Sequence, residues 1–125
     1  MYQKFNGPWI GDNENGTYKN PIVLSDYSDP DVIRVGKDFY MVASSFTYFP
    51  GLPVLHSRDL VNWEIISYAV DKLPFDDYDV PQHGKGVWAP SIRYHNGMFY
   101  VYFATPDEGI FVSTTDDPYG KWNLK

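Results

Sequence analysis

Apolar positions fall in short runs, many of them alternating, separated by Gly, Asn, Asp and Pro. Val32-Ile33-Arg34-Val35 predicts a strand, Gly36-Lys37-Asp38 a hairpin turn, and Phe39-Tyr40-Met41-Val42-Ala43-Ser44 the returning strand. Val54-Leu55-His56-Ser57 predicts a third strand and Trp63-Glu64-Ile65-Ile66-Ser67-Tyr68-Ala69 a fourth. A polar loop over residues 71–86 follows. Residues 90–94, the turn His95-Asn96-Gly97 and residues 98–103 predict a second hairpin, with Asn-Gly as its turn signal. Ile110-Phe111-Val112-Ser113 and Lys121-Trp122-Asn123-Leu124 complete the set. No segment of helical length repeats its apolar residues with a 3.6 period. Residues 1–20 are polar, rich in Gly and Asn and aperiodic, and read as an extended leader.

The two sets of strands resemble each other. Asp29-Pro30 precedes Ala89-Pro90 by sixty residues, and Phe39-Tyr40 precedes Phe99-Tyr100 by the same interval. His56-Ser57 corresponds to Val112-Ser113, Arg58-Asp59 to Asp116-Asp117, and Trp63 to Trp122. Two four-stranded units at a fixed period are the signature of propeller blades, here about 21–70 and 87–125. The expected fold class is therefore all-β. A blade cannot bury both faces alone, and a ring closes only with about four or more. The expectation is an incomplete propeller, completed by blades in cis or on a second chain. Alone, it should expose apolar faces and be poorly soluble and inactive.

The 125 residues carry a formal net charge of −6 and no cysteine. The acidic balance and scattered Lys and Arg argue against nucleic acid and anionic membrane surfaces as partners. The missing cysteines exclude disulfides, thiolate nucleophiles and Cys-based zinc sites. No run of eighteen apolar residues occurs, which argues against a membrane-spanning helix. The N-terminus lacks the apolar core of a signal peptide, so a cytoplasmic location is expected unless a signal was removed. Aromatic residues make up 18% of the chain. Their flat apolar faces suit sugar rings, and suit β-sheet cores equally well.

Three stretches are candidates for chemistry. Asp26-Tyr27-Ser28-Asp29-Pro30-Asp31-Val32-Ile33-Arg34 places a carboxylate just before the first strand, with Pro fixing the backbone, although Asp and Pro are also ordinary turn residues. Ala43-Ser44-Ser45-Phe46-Thr47-Tyr48-Phe49-Pro50-Gly51-Leu52-Pro53 runs from a strand end into an aromatic loop that could wall a pocket or simply pack. Gln82-His83-Gly84-Lys85-Gly86-Val87-Trp88-Ala89-Pro90-Ser91 has glycines that let backbone approach closely. His83, His56 and His95 show no common metal-ligand spacing.

Taken together, Asp-Pro-Asp-Val-Ile-Arg, Phe-Tyr-Met-Val-Ala-Ser-Ser-Phe, Pro-Gly-Leu-Pro-Val-Leu-His-Ser, Asp-Leu-Val-Asn-Trp and Gly-Val-Trp-Ala-Pro-Ser-Ile resemble the start of glycoside hydrolase family 43. The resemblance covers roughly residues 19–125 and is nearest to β-xylosidases and α-L-arabinofuranosidases. It implies a five-bladed β-propeller and an inverting, exo-acting enzyme on xylo- or arabino-oligosaccharides of plant hemicellulose. It also implies three carboxylates: a general base, a general acid and an Asp that tunes the acid. The base falls on the Asp before Pro, which is Asp29. Asp31, the nearest competitor, would face a neighbouring turn. Phe46 and Trp88 match pocket-lining aromatic positions, and His83 lies near the rim. Nothing around Glu108 matches the acid, so two of the three carboxylates would lie outside this segment. No cofactor is implied. Some members hold a cation in the propeller channel, through residues outside this segment, and no metal site is assigned within it. The alternative is a non-catalytic carbohydrate-binding or assembly module, with Phe46 and Trp88 as its sugar platform.

Overall fold

The computed structural model describes residues 7–125. Among these residues, eight strands form two four-stranded antiparallel sheets, each a simple meander. The first sheet comprises β1 (Asp31–Val35), β2 (Asp38–Val42), β3 (Gly51–Ser57) and β4 (Glu64–Val70). The second comprises β5 (Trp88–His95), β6 (Met98–Thr105), β7 (Gly109–Thr115) and β8 (Asn123–Leu124). Gly36 (φ 64°) and Asn96-Gly97 (φ 49° and 82°) supply the positive φ angles of the two leading hairpins.

The internal repeat is structural. Phe39 pairs with Ser57 in the first sheet, and Phe99 pairs with Thr115 in the second. This register makes Thr115, rather than Ser113, the counterpart of Ser57. The turns that follow agree: Ser57 Oγ and Thr115 Oγ1 each accept from the amide two residues on, at Asp59 and Asp117. Trp63 and Trp122 sit just before β4 and β8 rather than within them.

The sheets stack through one face of each. Tyr40, Val42 and Val54 meet Ile92, Phe99, Val101 and Phe103, all buried. The Tyr40 and Phe99 rings lie edge to face with centroids 5.0 Å apart. Each fully buried Val, Ile or Phe contributes about 1.5–3 kcal/mol. At the outer edges, the Trp122 indole N–H donates to Ser67 Oγ, and the Ser67 hydroxyl donates to Pro118 O. The opposite faces stay open, with Ile65 and Tyr68 exposed on the first sheet and Tyr102 and Ile110 on the second. Alternation in β6 and β7, and in β4 a register shift between its pairings with Val54 and Leu55, place these apolar side chains away from the shared core.

Two segments depart from the expected picture. The leader is not extended throughout: Lys19 N–H donates to Gly11 O and Asn13 N–H to Thr17 O, folding residues 11–19 into a small hairpin. Residues 1–6 of that leader lie outside the described residues. The loop over 71–86 contains a 3-10 turn, Asp76–Asp79, which buries Tyr78 against Phe49 and Phe75.

Candidate active site

The candidate residues gather where the first sheet meets the second at the start of β5. Asp29, Phe46 and Ala89 all lie in the left-handed region, with φ of 49°, 53° and 37°. That conformation costs an L-residue about 1–2 kcal/mol. Asp29 and Ala89 both precede proline, so the repeat extends to this unusual backbone. Strain of this kind persists only where surrounding structure over-determines it, and it clusters at functional sites.

The surrounding structure is a hydrogen-bonded seam. Phe46 and Val87 form a two-way antiparallel bridge, with N–H to O distances of 3.1 and 2.9 Å. Gly86 has φ 109°, and a Cβ there would lie 1.8 Å from Phe46 O. The expected close approach by a glycine is therefore made to the Phe46 backbone. Ser44 continues the seam. Its Oγ accepts from Ala89 N–H at 2.8 Å and donates to Asp29 Oδ2 at 3.2 Å. Ser45 serves the loop instead, its Oγ accepting from Leu52 N–H at 2.9 Å.

The two neighbouring aspartates have different surroundings. Asp29 is exposed, and the one side-chain donor it meets among the described residues is the Ser44 hydroxyl. Asp31 Oδ2 accepts from Ile92 N–H at 2.9 Å, from Ser91 Oγ at 3.2 Å and from Arg93 Nη1 at 2.6 Å. Asp31 thus faces strand β5 rather than a turn, and its carboxylate is committed to joining the sheets.

Trp88 opens β5 and is half-buried. Phe46 keeps more than a third of its surface exposed, at 38%. His83 sits on an exposed turn closed by Lys85 N–H to Gln82 O. That turn is tied to the aromatic loop through Gln82 N–H to Thr47 Oγ1 at 2.9 Å, and to the β6–β7 turn through Lys85 Nζ and Asp107 Oδ2 at 2.6 Å. Earlier in the same loop, the Tyr78 hydroxyl donates to Glu108 Oε2 at 2.9 Å. Burial, reinforced by the Glu108 carboxylate, pushes the Tyr78 phenol up to about 12.

The aromatic loop does wall a cleft, of about 300 Å³, lined by Ser44, Ser45, Tyr48, Phe49 and Pro50 together with Asp26, Tyr27, Pro53 and Tyr68. Asp29, Phe46, Trp88 and His83 are not among its walls. Three of the four candidates, Asp29, Phe46 and Trp88, are instead joined by the seam through Ser44 and Val87. Ser44 and Thr47 are the contributors that pattern reading missed. Their only sequence signal is a run of small hydroxyl residues at a strand end.

Residues 18–125 match the sequence profile of glycosyl hydrolases family 43. The chain belongs to this family. It is 51% identical over 113 residues to a protein of Xylanibacter ruminicola with a provisional β-xylosidase name, covering 90% of this chain and 21% of that protein. It is 42% identical over 114 residues to a non-reducing end α-L-arabinofuranosidase of Bacteroides ovatus, covering 86% and 21%. Among solved structures, a family 43 protein of Bacillus licheniformis superposes with a TM-score of 0.75 at 35% identity, covering 85% of this chain and 23% of that one. The chain thus spans about a fifth of the length of these family 43 relatives. Its two sheets are adjacent N-terminal blades of the family's β-propeller.

Proposed function

We propose that these residues form the general-base side of an inverting, exo-acting glycosidase that removes terminal xylosyl or arabinofuranosyl units from hemicellulose oligosaccharides. The names of the relatives from Xylanibacter ruminicola and Bacteroides ovatus support the substrate class. The observation that carries the base assignment is the contrast between the two aspartates. Asp29 offers an exposed carboxylate on a constrained backbone, whereas Asp31 is occupied by three donors.

In the proposed step, water attacks the anomeric carbon from the face opposite the leaving oxygen. Asp29 takes the water proton as the new C–O bond forms. An acid from a further blade protonates the leaving oxygen as the old bond breaks. Such an acid stands about 6.5–9.5 Å from the base, leaving room for the water. That blade is carried on the same chain or on a second one, and further blades would also cover Tyr102 and Ile110. Phe46 and Trp88 offer ring faces to the sugar beside the base, and His83 stands at the rim. The step calls for no cofactor.

The test is Asp29→Ala in the full-length protein. Turnover is expected to fall by about 10²–10⁴-fold, the usual contribution of a general base, with the thermal transition retained. Turnover near that of the unsubstituted enzyme would overturn the assignment. Sugar binding by the unsubstituted full-length protein without any hydrolysis would favour a binding module.

A further inference from the structure

The geometry assigns Ser44 a role in catalysis that is distinct from folding: it is the positioning residue for Asp29. This inference rests on the reading of Asp29 as the base. Ser44 is 1% exposed, and both of its hydroxyl functions are used. The oxygen accepts from the Ala89 amide at 2.8 Å, which leaves the O–H to be donated, and Asp29 Oδ2 lies 3.2 Å away. A hydroxyl rotor has one proton, and here the amide fixes where it points. The carboxylate is held from a site that is itself anchored in the second blade.

The anchoring is built from both sides. Ser44 N–H donates to Ser28 O at 3.0 Å, tying the strand end to the residue before Asp29. Ala89 adopts its left-handed backbone at the same seam and directly follows Trp88. One buried hydroxyl therefore couples the proposed base to the aromatic proposed to lie under the sugar. A base must meet its water within hydrogen-bond reach, and small displacements are costly because the geometry is prepaid in the folded enzyme. Asp29 has no other side-chain hydrogen-bond donor among the described residues, so the Ser44 hydroxyl is the side chain that holds its carboxylate.

The experiment compares Ser44→Ala, Ser44→Thr, Ser44→Cys, Asp29→Ala and the double variant S44A/D29A in the full-length protein. An aryl xyloside or arabinofuranoside with a good leaving group keeps residual rates measurable. Ser44→Ala is expected to lower kcat by about 10- to 10²-fold with KM little changed, the loss typical of misplacing a reacting group. Ser44→Thr, which keeps the hydroxyl, should recover most of that loss. If its extra methyl shifts the strand, Ser44→Cys, nearly the same size but a weak donor, should still behave as Ser44→Ala. In the double variant the serine change should cost nothing further, because it acts only through Asp29. The assignment is overturned if Ser44→Ala lowers thermal stability but leaves kcat per folded molecule unchanged, or if its loss adds in full to that of Asp29→Ala. Full activity in Asp29→Ala itself would overturn the base reading, and this assignment with it.

Discussion

Asp31 in the first blade and Arg93 in the second meet across the stacking interface, with Oδ2 and Nη1 2.6 Å apart. The pair is partly open to solvent, so its Coulomb attraction alone is worth little. What distinguishes it is the company. The same oxygen also accepts from the Ile92 amide, whose residue is fully buried. One carboxylate thus satisfies a backbone donor that water cannot reach.

Replacing Asp31 with Ala should therefore destabilise the full-length protein by about 1–3 kcal/mol, the cost of stranding a buried donor. Turnover per folded molecule should stay within a few-fold of the unsubstituted enzyme. Denaturant unfolding and steady-state kinetics on the same preparation check both halves. A collapse of turnover with unchanged stability would show that the roles of Asp29 and Asp31 have been exchanged.

Gly86 gives a second, steric prediction. A methyl group at this position would sit 1.8 Å from Phe46 O and would have to adopt φ 109°. No flexible side chain can yield there, because the obstacle is backbone. Gly86→Ala should break the Phe46–Val87 bridge and cost at least the 1–3 kcal/mol typical of overpacking, roughly. Phe46 forms that bridge and Trp88 directly follows its other partner, so KM should rise along with the loss of stability. Gly84, whose added Cβ would meet nothing within 4 Å, is the control: φ 71° strains an alanine there, but Phe46 stays in place.

The reach of sequence reading follows from what kind of physics sets each feature. The strands, both leading hairpins and the blade repeat were legible because alternation and turn chemistry are local. Asn96-Gly97 specifies its turn within four residues. The partner of Asp31 was not legible, since it lies sixty residues away and depends on how two sheets stack. The same is true of Ser44, whose two partners come from the residues before β1 and from the start of β5. The left-handed backbone at Asp29 and Ala89 ran against expectation. A residue before proline is normally pushed toward extended conformations, and only the tertiary seam overrides that preference. The hairpin over 11–19 was hidden for a different reason: its polar sequence has no apolar period, and side-chain bonds such as Glu14 N–H to Asp12 Oδ1 at 2.7 Å shape it instead.

Tyr78 links the site to alkaline pH. Its phenol ionises near 10.0 when exposed and at about 12 in the folded chain, first because it is buried and then because Glu108 stands against it. The folded state holds this proton more tightly than the unfolded state does. Stability from this group is therefore complete below pH 10 and is lost as pH rises from 10 toward 12. Tyr78 fastens the 3-10 turn to the β6–β7 turn through Glu108, so its ionisation should release that tie. Tyr78→Phe removes the titrating group while keeping the ring between Phe49 and Phe75. In the variant, unfolding free energy should fall less steeply across pH 10–12 than in the unsubstituted protein, although its value at pH 7 should be lower by about 0.5–1.5 kcal/mol for the lost hydrogen bond. Chemical denaturation at a series of pH values measures both quantities. Parallel stability curves for the two proteins through that window would mean that Tyr78 keeps no special hold on its proton.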